Sequence, residues 1–134
     1  MQKIAYFTIC SANYLAYACT LAQSLYAVEP DCKLHVFLAD RLSADLSLTS
    51  QNIELIPIES LEIEGLADMA FRYSILEFNT ALKPFCFDRL LGSMGFDAAI
   101  YLDPDILVVN PLEHVKSALR DGACLLYTSD AADE

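Results

Sequence analysis

Tryptophan is absent from the 134 residues, glycine occurs 4 times and proline 5 times. That scarcity excludes a collagen-like repeat or a Pro/Gly linker, and no stretch has the polar bias of a disordered segment. Basic residues are also few, 8 Lys+Arg against 19 Asp+Glu for a formal net charge of -11. They stand singly, so the clustered cations that a nucleic-acid backbone or an anionic membrane demands are missing. No hydrophobic run reaches the length of a membrane span: Ile4 to Val28 is apolar, but Ser11, Asn13, Thr20, Gln23 and Ser24 interrupt it. A first strand plus an amphipathic helix explains that region better than a signal peptide behind Lys3. The expected location is cytoplasmic, or peripheral at a membrane surface. No CxxC pair exists among the 5 cysteines, and Cys10, Cys19, Cys32 and Cys86 sit among apolar neighbours. They read as small buried hydrophobes. What the chain does have is an apolar fraction of 55%, sufficient for one core without metal or disulfide staples.

The last eleven residues, Cys124 to Glu134, are unlike the rest. Over their whole length they resemble the in-frame translation of a sequencing-library adapter; the alternative is a natural polar C-terminus. Read as foreign sequence they are set aside from the fold. Residues 1–123 then form the domain, the net charge falls from -11 to -8, and the parent protein is expected to continue past Ala123.

Lys3 to Ile9 is a short β-prone run suited to a strand buried on both faces. From Tyr14 to Ala27, Leu15, Ala18, Cys19, Ala22, Leu25 and Tyr26 recur at helical spacing, with Asn13 as the expected cap and Glu29-Pro-Asp31 as the stop. Lys33 to Ala39 is a second strand. Strand, helix and strand in that order make a βαβ unit and predict a parallel sheet. Ile53 to Ile58 gives a third strand, and the acidic stretch Leu61 to Ala67 is ambiguous. Ala67 to Met94 reads as helical in one or two pieces, with Asn79 or Thr80 capping the second, Pro84 in its first turn, and Gly92 and Gly95 marking the end. Ala98 to Leu102 is the next strand, Ile106 to Val109 a further apolar run, and Leu112 to Leu119 a final helix.

AAIYLDPDILVVNP carries the most chemistry. An apolar strand delivers Asp103 and Asp105 around Pro104. Two close carboxylates repel unless a cation lies between them, and oxygen ligands suit Mg²⁺ or Mn²⁺, which also bridges phosphates. A solvated Asp-Pro turn fits the same spacing.

This stretch resembles the DxD motif of GT-A fold glycosyltransferases, most closely the family 8 type. Three further segments agree in order: Ser11-Ala-Asn13-Tyr14 after the first strand, LHVFLAD at the second, and Phe78-Asn-Thr-Ala-Leu-Lys83-Pro-Phe ahead of the DxD strand. The resemblance implies an α/β, Rossmann-like three-layer sandwich with a mostly parallel sheet. It makes residues 1–123 the nucleotide-sugar-binding part of a transferase. The donor would be a nucleotide-diphosphate sugar of the UDP type, the acceptor a saccharide or a lipid-linked saccharide, and the setting polysaccharide biosynthesis. Asp103 and Asp105 would hold Mn²⁺ or Mg²⁺, with Asp103 also meeting the donor. Lys83 or Arg72 would bring positive charge to the phosphates. Tyr14 would offer its ring to the base, with Thr8 and Asn13 nearby.

Duller roles exist for each: helix-surface charges for Arg72 and Lys83, a cap for Asn13, a turn for the aspartates. Where family 8 members carry acidic residues before Asn-Tyr, this chain has Cys10, Ser11 and Ala12. His35, inside a strand pattern, and His114, on a helix pattern, do not correspond to the late histidine that completes the family's metal site. Asp40, after the second strand, is a further candidate for the nucleotide. Two other readings stay open: a haloacid-dehalogenase-like phosphohydrolase, whose signature also sets two aspartates after a strand, and a non-catalytic nucleotide-binding fragment.

Overall fold

A computed structural model describes residues 2–40 and 52–122. The adapter-like tail proposed from the sequence, with Cys124, lies outside the described residues. Four strands form one sheet, β1 (Ile4–Cys10), β2 (Leu34–Leu38), β3 (Ile53–Pro57) and β4 (Ala98–Tyr101), in the order β3-β2-β1-β4. Every pairing is parallel, with Tyr6 opposite Leu34, Leu34 opposite Ile53 and Ile4 opposite Ala98. The expected mixed α/β architecture with a parallel sheet is what the chain adopts.

Parallel strands need crossovers, and these cover both faces. Helix α1 (Leu15–Val28) links β1 to β2 and buries Leu15, Ala18, Leu21, Ala22 and Leu25. That stripe packs on Tyr6, Cys10, Leu34, Val36 and Leu38. The opposite face is covered by α3 (Ile75–Asp88), which follows the short α2 (Leu66–Arg72). Phe78, Leu82, Cys86 and Leu90 recur at i, i+4 and meet Ala5, Phe7, Ile9 and Phe37. Alternate residues of β1 thus serve two cores, which is why its sequence reads as one apolar run. A last helix, α4 (Glu113–Arg120), is fastened to the end of α1 through Glu29. Its carboxylate accepts from the Leu112 amide at 3.2 Å and from Lys116 Nζ at 2.7 Å.

Three local expectations are corrected. Asn13 does not cap α1: it lies within a 3₁₀ turn (Ala12–Tyr14), and the residue ahead of α1 is Tyr14, with no side-chain cap. Neither Asn79 nor Thr80 caps the second helical piece. Ser74 does, its hydroxyl accepting from the Glu77 amide at 3.2 Å. Pro84 therefore sits deep in α3 rather than in its first turn. It lies on the exposed side, as does Thr80, so water can take up the Thr80 carbonyl that proline leaves without a donor. The helix then widens into a π-turn over Arg89–Ser93, and Gly95, at φ 74, ends it in the left-handed region as a terminating glycine should. Among the described residues no helix is long and apolar enough to cross a membrane.

Candidate functional site

The strand order sets the place. The chain leaves β1 towards β2 on one side and returns to β4 on the other, so the C-terminal ends of β1 and β4 diverge at a topological switch point. The first loop of the switch point is Ser11-Ala-Asn13-Tyr14. It is pinned by Asp40, whose carboxylate accepts from the Ala12 amide at 2.8 Å, and by the Tyr14 amide donating to the Ser11 carbonyl at 2.9 Å. Asp40 is thus committed to shaping this loop. Asn13 and Tyr14 face solvent; the Tyr14 ring leans on Tyr17 with centroids 5.4 Å apart.

The second loop follows β4. Leu102 is buried, its amide donating to the Phe7 carbonyl at 2.9 Å, and beyond it Asp103 and Asp105 are exposed. Pro104 ends the strand pattern, so the two aspartates occupy a turn. Val108 fastens the far side: it is buried, and its amide donates to Ser24 Oγ on α1 at 2.9 Å. The apolar run Ile106 to Val109 is therefore an anchor without regular structure. Among the described residues no three His, Cys, Asp or Glu side chains come together as a metal cluster.

Lys83 and Thr8 meet this turn through a residue that sequence reasoning missed. Tyr101, the last residue of β4, packs its ring edge-on against Phe7 at 5.3 Å. Lys83 Nζ lies 4.3 Å from the centroid of the same ring. Burial pushes the Tyr101 phenol above its ordinary range, and the neighbouring Asp103 carboxylate pushes it further, so it stays protonated and able to donate. Thr8 is fully buried, and its hydroxyl lies near the phenol while completing no hydrogen bond of its own. Thr8, Lys83, Tyr101 and Asp103 thus form one group. The signal in the sequence was an aromatic residue two positions ahead of the first aspartate.

Arg72 stands apart from that group, at the end of α2, where Nε meets Asp68 Oδ1 at 3.1 Å on an exposed surface. His35 is a buried strand residue: Nδ1 faces the Tyr6 carbonyl at 3.2 Å and Nε2 faces Glu54 at 3.3 Å. Burial lowers its pKa against the support of those two acceptors. His114 is an exposed residue of α4. A cleft of about 380 Å³ lined by Lys3, Lys33, His35, Glu54 and Phe96 opens at the N-terminal ends of the strands, the wrong end for the aspartates. The carboxylate turn, placed where open α/β sheets bind ligands, defines the candidate site instead.

Solved structures share this architecture. The chain superposes on an active-site mutant of LgtC with a TM-score of 0.52 and 24% identity, covering 83% of this chain and 41% of that one. It matches galactosyltransferase LgtC in complex with donor and acceptor sugar analogues with a TM-score of 0.51 and 26% identity, over the same shares of the two chains. The fold is GT-A, of the glycosyltransferase kind. The chain spans about two fifths of the length of these neighbours, 41%. No protein-family model matches it, and no curated protein does.

Within the GT-A fold the exposed acidic turn after β4 and the Asn-Tyr loop after β1 flank the same switch point. Sequence reading named both loops and Asp40; the structure turns Asp40 onto the backbone of the first loop and adds Tyr101 ahead of the second and Ser24 behind it.

Proposed function

We propose that the chain binds a nucleotide-diphosphate sugar, of the UDP type, as the donor half of a family 8-like glycosyltransferase acting on a saccharide or lipid-linked acceptor. The observation that carries this reading is the exposed Asp103-Pro-Asp105 turn at the diverging ends of β1 and β4. The residues fit a divalent ion: both carboxylates are hard oxygen ligands open to solvent, and Mg²⁺ or Mn²⁺ commonly takes one or two carboxylates and fills its shell with water and phosphate oxygens. Bound there, the ion would supply charge neutralisation for the departing diphosphate.

The chain's own groups account for the rest of donor binding. Lys83 holds its ammonium over the ring of Tyr101, the residue two positions ahead of Asp103, and would meet a phosphate bound at the turn. Tyr14, 44% exposed, offers a ring face to the base, with Asn13 next to it. Thr8 keeps an unused hydroxyl below the site. Arg72 would have to leave Asp68 to reach a phosphate, an exchange of little cost for so exposed a pair.

Thermal denaturation with Mn²⁺ and a UDP-sugar tests the reading. Ligand at a hundredfold over its Kd stabilises by about 2.7 kcal/mol, so the melting temperature should rise by several degrees in wild type and not in Asp103→Ala. An unchanged melting temperature with every nucleotide sugar tried would sink it.

A further inference from the structure

We propose that His35 and Glu54 form a proton-operated latch in the cleft at the N-terminal ends of the strands: the protonated ring draws the Glu54 carboxylate in, and the neutral ring releases it. The latch is independent of the donor site, which lies at the opposite ends of the strands. His35 and Glu54 stand directly opposite each other in the β2–β3 ladder, so their contact is built into the register. His35 is 6% exposed, whereas the Glu54 side chain is 43% exposed. Both ring nitrogens are engaged: Nδ1 lies 3.2 Å from the Tyr6 carbonyl oxygen, and Nε2 lies 3.3 Å from Glu54 Oε2. Phe96 braces the imidazole, with ring centroids 5.3 Å apart and planes nearly perpendicular.

A carbonyl and a carboxylate both only accept, and a neutral imidazole carries a single N–H. The two contacts can be made together only by the imidazolium. With a lone proton on Nε2, the Nδ1 lone pair would face the carbonyl oxygen of the central strand, and neither group can move. With the proton on Nδ1, the remaining lone pair faces Glu54, whose exposed carboxylate can turn to water at little cost. The neutral ring therefore keeps its proton on the Tyr6 carbonyl and lets Glu54 go. Burial, helped by Lys33, opposes the ring's second proton more than the Tyr6 carbonyl and Glu54 favour it. Lys3 lines the same cleft from the start of β1, and Asp31 and Cys32 line it from the turn before β2. The Lys3 ammonium is drawn to the Phe96 ring, 4.7 Å from its centroid, and the Lys3 amide donates to Asp97 at 2.7 Å. From the helix side the lining is Met94 and Phe96. Acidification thus exchanges a free carboxylate in this cleft for a closed ion pair.

An NMR titration of the imidazole rings in the full 134-residue chain tests the latch, with the exposed His114 as the second set of signals. Above the transition, long-range proton–nitrogen spectra should place the His35 proton on Nδ1; below it, both nitrogens should be protonated. The His35 midpoint should lie below the ordinary 6.5. Glu54→Gln removes the charge that favours the imidazolium and supplies an amide that can donate to the neutral Nε2. It should lower the ring's proton affinity about two- to fivefold, the range of a partly exposed ion pair, and move the midpoint to lower pH. A neutral ring with its proton on Nε2 overturns the latch. So does a midpoint unmoved by Glu54→Gln, or a ring that stays neutral until the chain unfolds.

Discussion

Ser24→Ala is the sharpest test of how the acidic turn is held. Ser24 Oγ donates to the Leu21 carbonyl at 2.8 Å and accepts from the Val108 amide at 2.9 Å, so one hydroxyl joins α1 to the segment after Asp105. Removing it leaves the Val108 amide without an acceptor at a residue only 8% exposed. An unsatisfied buried donor costs about 1–3 kcal/mol. Alanine is the better helix former by roughly 0.5 kcal/mol, which offsets part of that loss. The net expectation is destabilisation by about 1–2 kcal/mol. Urea unfolding should show a lower midpoint at an unchanged slope, since the exposed surface hardly differs. Amide exchange at Val108 should accelerate by about five- to thirtyfold, the factor that 1–2 kcal/mol represents if the opening is local. A variant as stable as wild type, with Val108 still protected, would refute the reasoning, because helix propensity would then be acting alone.

Lys116→Met should cost about 1–3 kcal/mol, less than a fully buried pair, because the Glu29–Lys116 pair is covered by neighbours yet close to the surface. Burial lowers the Lys116 pKa, but the hydrogen bond to Glu29, with the charges of Tyr6, Glu29 and Glu113, more than reverses this and holds it above 10.5. A raised lysine contributes fully below pH 10.5 and loses its contribution as pH climbs through the folded-state value, so wild type and variant should converge in stability at high pH. Burial pushes the Cys10 and Cys86 thiols up to about 12 from 9.0. At pH 8 a thiol reagent should label Cys19 in the folded chain, Cys32 more slowly because burial and Glu29 push its thiol up, and Cys10 and Cys86 only on unfolding. For these two thiols the unfolded state ionises first, so stability should fall as pH rises from 9 towards 12. Rapid labelling of Cys10 or Cys86 in the folded protein, mapped by peptide mass spectrometry, would contradict this.

Periodicity made most of the fold legible. The α1 stripe and the apolar runs of β1 and β2 carry their burial in their spacing, because a helix with one covered face and a strand covered on both leave distinct patterns. That Asp103 and Asp105 would stand exposed in a turn was legible too, since Pro104 between them cannot continue the strand ladder. Capping was read less well. Asn13 looks like a cap from its residue type, but the β1–α1 loop is shaped by Asp40, 28 positions away in the chain. Pro84 looks like a helix start, and only its exposed position explains how α3 runs through it. Tyr101 escaped notice because its neighbours Lys83 and Phe7 are brought to it from elsewhere by α3 and the sheet. Side chains whose partners are distant in sequence leave no periodic trace.

The pairing of Ile4 with Ala98 has a kinetic consequence. The central strand is made first and its last neighbour nearly a hundred residues later, so β1 waits with one edge open while the ribosome supplies β4. At about 5–20 residues per second this interval lasts roughly 5–20 seconds, far longer than a helix or a loop needs to form. During that time the edge later covered by β4 is a template for stray strands. The same docking event that shields it also brings the acidic turn beside the Asn-Tyr loop. A chain in which β4 has not docked would thus have both an unsealed edge and an acidic turn out of place, so a defect in this one pairing would expose the molecule to chaperones and dismantle the candidate site together.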